Sequence, residues 1–343
     1  MFTPLSPSED RWIDFRQAWK RRRLRARAIL KMRELRSLKR RRWGARDILL
    51  FCTLRNERER IDWFLQHYRR LGVDHFLFID NDSDDGTREV LMAQPDASVW
   101  HTSASYKASR FGMDWINALM LRYGTRHWCV VADADELLIY PHWETRPLRA
   151  LTAWLAAEGR LIMPAMMLEL YPKGALGAQD CPAPGTDPLT LLRWFDAGNY
   201  MITHKPVLDA LLIQGGPRAR MFFPSRPNRA PTLTKLPLIH WSWHNAWVNS
   251  THSVLPRALN RVYDRAGGEA ISGALLHTKF LPTIVRKSEI EKARAEHFGN
   301  APVFDKYYDA VMGNPDLWCP CSSQYEGWEQ LEDLGLISRG GWA

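Results

Sequence analysis

Cysteine is scarce in this sequence: Cys52, Cys129, Cys181, Cys319 and Cys321 are all that 343 residues contain. An odd, dispersed set excludes a disulfide scaffold and points to a reducing, cytoplasmic compartment with no disulfides. Only Cys319 and Cys321 lie close, as C-P-C, and without a second pair or a histidine cluster structural zinc is not expected. Long apolar runs are missing too. The longest, such as ILLFCTL at 48–54, are strand-sized, well short of the roughly 20 residues that cross a bilayer. The N-terminus shows no apolar secretory segment. The absence of G-x-G-x-x-G and Walker patterns disfavours a nicotinamide cofactor or a P-loop nucleotide. Without G-x-S-x-G or H-E-x-x-H, a serine hydrolase or zinc protease has no support.

What is present is charge, unevenly spread. The net charge is +9, yet residues 1–45 hold 15 Lys or Arg against 4 Asp or Glu, and the rest hold 32 against 34. A basic N-terminal arm, 1–45, is therefore expected ahead of a near-neutral body, 46–343. Residues 11–42 contain no Gly or Pro and many helix formers, which predicts a long basic helix. Its Trp12, Phe15, Trp19, Leu24, Ala28, Leu30, Met32, Leu35 and Leu38 form a partial apolar stripe flanked by Arg and Lys. Such a helix suits peripheral contact with an anionic membrane, a solvated extension packed on the body, or docking on another subunit; nucleic acid is not expected as its partner.

After Gly44, short apolar strands alternate with helical stretches: strands at 47–54, 75–79, 99–100, 127–132 and 161–166, helices at 57–71, 87–94, 112–123 and 148–158. That succession predicts an α/β fold, a mostly parallel sheet flanked by helices. Ligands in such sheets gather at the carboxyl ends of strands, where Asn56, Asp80 and Asp133 fall. Segments 171–190 and 214–235, dense in Gly and Pro, read as surface loops, and 287–311 as a helix. No sharp linker divides the body. A nucleotide-binding half at about 46–170 and an acceptor-side half at about 171–343 are expected within one domain.

The strand CVVADADELLIYP ends in Asp133, Asp135 and Glu136, three carboxylates costly to bury unless paired or holding a cation. Two carboxylates one residue apart can face a single Mg²⁺ or Mn²⁺, an ion that takes oxygen ligands and shares them with phosphates. The plainer reading is that these acids cap the next element or pair with arginines. Asn56 and Glu57 close the first strand. Asp80, Asn81, Ser83 and Asp85 offer acceptors suited to a base and ribose, with Gly86 allowing a turn. This run is not an EF-hand, since Leu91 stands where the loop's final Glu belongs.

Taken in order, Asn56-Glu57, the run from Asp80 to Thr87, Arg110 with Asn117, and Asp133 to Leu138 resemble the bacterial family 2-like glycosyltransferases of the GT-A fold. The likeness spans Asp47 to Tyr171, and the later GGPRARMF, LTKLPLIHW and LLHTKFL segments are similar to that branch's second half. The resemblance implies metal-dependent transfer of a sugar from a nucleoside diphosphate sugar, a UDP-sugar first among them, to a glycan or lipid-linked acceptor of polysaccharide biosynthesis. It implies Asn56, Glu57, Asp80, Asn81, Arg110 and Asp133 as nucleotide-binding residues, and Asp133, Asp135 and His277 around Mn²⁺ or Mg²⁺. Lys279 would oppose phosphate charge. For catalysis it implies Asp135 together with Glu169, which stands where the branch often has an aspartate base; Asp187, Asp196 and Glu136 remain other carboxylates for that task. Trp241, Trp243 and His244, in IHWSWHNAW, are candidates to contact acceptor or sugar. A nucleotidyl- or phosphoryl-group transferase and a non-catalytic glycan-binding or surface-assembly protein stay open as alternatives. The expected place is the cytoplasm, peripheral at the inner membrane where the arm reaches it.

Overall fold

A computed structural model describes residues 6–263, 270–294 and 301–342. Its helices are α1 (Pro7–Lys31), α2 (Ile61–Leu71), α3 (Thr87–Ala93), α4 (Met113–Leu119), α5 (Leu148–Ala157), α6 (Gly216–Phe222), α7 (Ile284–Arg294), α8 (Ala301–Met312) and α9 (Trp328–Asp333). Seven strands precede the second half: β1 (Arg36–Lys39), β2 (Leu49–Leu54), β3 (His75–Asp80), β4 (Ala97–His101), β5 (Trp128–Val131), β6 (Glu136–Ile139) and β7 (Ile162–Glu169). Then come β8 (Trp194–Asp196), β9 (Tyr200–Lys205), β10 (Ala210–Gly215), β11 (Thr234–His240), β12 (Ala246–Trp247), β13 (Val254–Leu255), β14 (Gly273–His277) and β15 (Ser322–Gln324).

Nine strands form one sheet in the order β1-β4-β3-β2-β5-β11-β7-β14-β6, and β9–β10, β12–β13 and β8–β15 form small antiparallel ribbons. The block β4-β3-β2-β5 is parallel, and HFLFID and all of LLFCTL but Thr53 are buried, as suits strands covered on both faces. The expectation of a mostly parallel sheet is corrected to a mixed one. Strand β11 runs antiparallel between β5 and β7, β14 runs antiparallel to β6, and β1 runs antiparallel at the edge. Composition could not show this, because an apolar run carries no direction.

The two faces of the sheet hold separate cores. Leu50, Cys52, Phe76 and Phe78 pack with α2 and α5 on one side; Leu49, Phe51, Leu77 and Ile79 pack with α4 on the other. Helix α2 illustrates the local logic. Ile61, Phe64, Leu65, Tyr68 and Leu71 recur at helical spacing on its buried face, and Gly72 (φ 92°) ends it in the left-handed conformation. The Tyr68 hydroxyl donates to the Glu136 carbonyl at 2.9 Å, and the Leu138 amide donates back at 3.2 Å, which fixes β6 against α2.

The long basic helix expected over 11–42 is shorter. A capping box of Ser6 and Glu9 starts α1 at Pro7; it ends at Lys31, and β1 then extends the sheet through Ser37 opposite Trp100. Pairing with an exposed sheet edge outweighs weak helix propensity there. Segment 214–235, expected as loop, contains α6 and the first residues of β11. The helix expected over 287–311 begins at Ile284, and its residues 295–300 lie outside the described ones. All five cysteines are free, and no helix among the described residues is long and apolar enough to cross a membrane.

His67 on α2 makes stability depend on pH. Its Nε2–H donates to the Leu138 carbonyl at 2.8 Å, and burial pushes its pKa down to about 4. The unfolded chain takes up this proton near pH 6.5 while the native state resists until about 4, so the contribution is present above pH 6.5 and lost as pH falls, by up to about 3 kcal/mol. His67→Gln keeps a donor but not the titration. The difference between wild-type and variant unfolding free energies, followed by urea titration, is expected to change steeply between those two pH values and to be flat above them.

Candidate functional site

The carboxyl ends of β2, β3 and β5 open onto a cavity of about 330 Å³. From β2 and the turn after it come Thr53, Arg55, Asn56, Glu57 and Arg60; from the end of β3 comes Asn81; from the β5–β6 turn come Asp133 and Asp135, and from the start of β6 Glu136. The opposite wall belongs to the second half of the chain: Arg218 on α6, Lys235 on β11, His252, His277 on β14, Lys279, and Lys287 and Ser288 on α7. Five acidic and six basic side chains line it together.

Strand register explains the convergence. His277 pairs with Glu136 on one side and with Glu169 on the other, so these three side chains stand abreast on one face of β6, β14 and β7. His277 spans the row: its Nε2 is 3.1 Å from Asp135 Oδ2 and its Nδ1 is 3.6 Å from Glu169 Oε1. Burial opposes the Asp135 charge, but His277, Arg60 and Lys279 outweigh it and hold the carboxyl well below the usual range. Burial likewise works against the imidazolium, and Asp135 overcomes it, so His277 is raised.

Asp133 and Glu136 share one ammonium. Lys235, 4% exposed at its side chain, lies 2.8 Å from Glu136 and 3.2 Å from Asp133. Burial disfavours its charge, yet Asp133 and Glu136 prevail and its pKa rises; burial pushes Glu136 up against the pull of Lys235. Across the cavity, Lys287 reaches Glu57 and Glu59, each at 2.8 Å, and ties α7 to the turn before α2. His252 adds a neutral group: its Nδ1–H donates to the Thr234 carbonyl at 2.6 Å, and burial drives its pKa down to about 3.

Among the residues singled out from sequence, Asn56, Glu57, Asn81, Asp133, Asp135 and His277 come together on this cavity. Two of them are already committed to the fold. Asn56 exchanges hydrogen bonds with Asp84 at 2.7 and 3.0 Å, and the Asn81 amide donates to the carbonyls of Thr102 and Ala104. Asp80 is fully buried off the lining, bound by Arg88 at 2.6 Å. Glu169, 1% exposed, is also off the lining, paired with Arg218 and held ionised by Arg218 and His277 against the cost of burial. Arg110 points elsewhere, to Asp114 at 2.7 Å and the Val248 carbonyl at 2.6 Å. Trp241 is a core residue stacked on Trp247, whereas Trp243 is half-exposed against His244 and Arg25; none of these five lines the cavity.

Sequence reading missed Arg60, Arg218, Lys235, Lys287 and His252. A signal existed for Lys235, the sole charge in LTKLPLI, since a strand that buries both faces has no reason to carry a lysine without a buried acid to meet. Among the described residues no three His, Cys, Asp or Glu side chains form a group that could hold a metal ion.

No family model matches the chain, and no curated protein does. Solved structures similar to parts of it include a mannosyltransferase from Pyrobaculum calidifontis in complex with GDP-Man and Mn²⁺, 19% identical over 48% of this chain and 45% of that one, at a TM-score of 0.25. A 4-diphosphocytidyl-2C-methyl-D-erythritol synthase is 17% identical over 41% of this chain and 68% of that one, at 0.24. A UDP-glucose pyrophosphorylase from Acinetobacter baumannii is 9% identical over 76% and 98%, at 0.25. The chain thus spans less than half the length of the mannosyltransferase, and the likeness is partial.

Removing Lys235 would leave Glu136 buried without its counter-charge. Lys235→Met is expected to lower the unfolding free energy by about 3–5 kcal/mol at neutral pH. Adding Glu136→Gln should restore part of that loss. Urea unfolding of the two single variants and the double one measures the coupling.

Proposed function

We propose that the protein transfers a sugar from a nucleoside diphosphate sugar, a UDP-sugar first among them, to a glycan or lipid-linked acceptor. The observation that supports this reading is the meeting of the acidic β5–β6 turn with Arg60, Arg218, Lys235 and Lys279 around one cavity. Such a cavity is the size of a small-molecule site. Breaking a sugar–phosphate bond leaves charge on the diphosphate, and cations already fixed in a low-dielectric wall stabilise that charge without reorganising. Salt bridges to Asp133 and Glu136 fix Lys235 in this way, and Glu169 positions Arg218 and His277 from behind the wall.

Asp135 and His277 would give a divalent ion two ligands once His277 released the proton that Asp135 favours on it. A carboxylate oxygen beside an imidazole nitrogen suits Mn²⁺, and hard ions commonly take few ligands from the protein and the rest from phosphates and water. Bound there, Mn²⁺ or Mg²⁺ would offset phosphate charge. Asn81 and the backbone at the end of β2 line the part of the cavity where a nucleoside would enter. Trp243 and His244 lie outside this cavity and take no part in this reading.

A panel of nucleotide sugars, each with Mn²⁺, Mg²⁺ or chelator, tests the proposal. Transfer is expected with at least one donor, and Asp135→Asn is expected to slow it about 100-fold or more while the circular dichroism spectrum is kept. Transfer at the wild-type rate by that variant would remove Asp135 from the chemistry. Products that keep the nucleotide phosphate would identify a nucleotidyl transferase instead.

A further inference from the structure

Helix α1 has two faces with different fates. Gln17, Leu24 and Ala28 are buried against α4 and the β12–β13 ribbon. Helical spacing of 100° per residue sets Trp12, Phe15, Trp19 and Leu30 on the opposite line, and they are 59%, 56%, 54% and 60% exposed. Aromatic rings on a solvated helix face have no folding reason to be there. The Trp12 and Phe15 rings stack at 6.0 Å, Arg22 lies over Trp19 at 5.9 Å, and Arg25 links the helix to the half-exposed Trp243 at 4.8 Å.

The charge around this stripe is of one sign. The acids of α1 are Glu9, Asp10 and Asp14, all in its first third. Glu9 closes the capping box, and Asp10 and Asp14 are bound by the buried Arg257. From Phe15 to Lys31 the helix has no acid and eight Lys or Arg, with Arg16, Arg22 and Arg23 exposed beside the aromatic line.

We propose that the outward face of α1, with Trp243 next to it, docks this protein on an anionic lipid surface. Trp12, Phe15 and Trp19 would enter the interfacial layer, and Arg16, Arg22 and Arg23 would meet lipid phosphates. Indole and phenyl rings prefer the boundary between headgroups and acyl chains, and guanidinium forks match phosphate oxygens. A lipid surface fits better than a peptide or a single-stranded nucleic acid, because this face is convex and offers no groove to track a chain. The inference does not depend on the transferase reading, since it concerns a face outside the cavity and its test measures binding alone.

Flotation of the full chain with phosphatidylcholine vesicles, with and without about a third phosphatidylglycerol, at about 0.1 M salt, tests it. The protein is expected to float with the anionic vesicles only. The Trp12→Ala, Phe15→Ala, Trp19→Ala triple variant should lose about tenfold or more of that binding, as should Arg16→Glu, Arg22→Glu, Arg23→Glu. Both variants change exposed side chains, so unchanged circular dichroism shows that folding is kept. Absence of flotation with anionic vesicles, or wild-type binding by the aromatic variant, overturns the proposal. So does a wild-type dimer in light scattering that the aromatic variant converts to monomer, since a second copy would then be the occupant.

Discussion

A buried ammonium between two carboxylates is the constraint on which the centre of this molecule depends. Asp133 lies in the turn after β5 and Glu136 opens β6, and Lys235 belongs to a strand about a hundred residues later. Neither Glu136 nor Lys235 is stable there as a charge alone, because the desolvation of one buried ion costs several kcal/mol, whereas Asp133 is half-exposed. Glu136 at the start of β6 therefore relies on Lys235 from the second half of the chain. The same holds one strand further on, where Asp135 relies on His277 and Glu169 relies on Arg218.

Backbone geometry delivers these partners. The register of β11 shifts by one residue between Lys235 and Leu238, around Pro237, which has no N–H to give the ladder. The shift flips the alternation: Leu233 and Leu238 face the core shared with α2, while Leu236 and Ile239 face the one shared with α4. Strand β14 depends on a different device. A Cβ at Gly273 would meet the Ile139 carbonyl at 2.4 Å, so glycine alone lets β14 lie against β6 closely enough to set His277 beside Glu136.

Much of the parallel half was legible because its signals are local. Strands β2, β3 and β5 are continuous apolar runs that end in Asn56, Asp80 and Asp133, and each run needs only its own residues to be recognised. The acidic turn was legible for the same reason. Direction and pairing were not, since β1, β11 and β14 take their places through long-range contacts that leave no mark in a short window. Arg60 and Arg218 were missed in the same way: each looks like an ordinary surface charge until a strand or helix from elsewhere covers it. Asp80 and Glu169 show the converse. An acid at a strand end looks free in sequence, yet Arg88 and Arg218 claim these two.

The Arg110 and Asn117 pair carries the argument further, because its residues match an expected pattern while their contacts are with the fold itself. The buried Asp114 carboxylate takes Arg110 at 2.7 Å and Arg27 of α1 at 2.5 Å. Arg110 then reaches the Val248 carbonyl, and Asn117 exchanges hydrogen bonds with the Trp247 backbone at 2.8 and 3.2 Å. These contacts fasten the segment 246–248 and α1 to the same helix, α4. Because α4 packs on β2 and on the core under Asp133, the outer helix and the cavity are linked through one buried carboxylate rather than through the ligands of the cavity. Residues at matching spacing thus differ in partner: Arg110 and Asn117 are answered by backbone carbonyls away from the cavity and hold its surroundings in place.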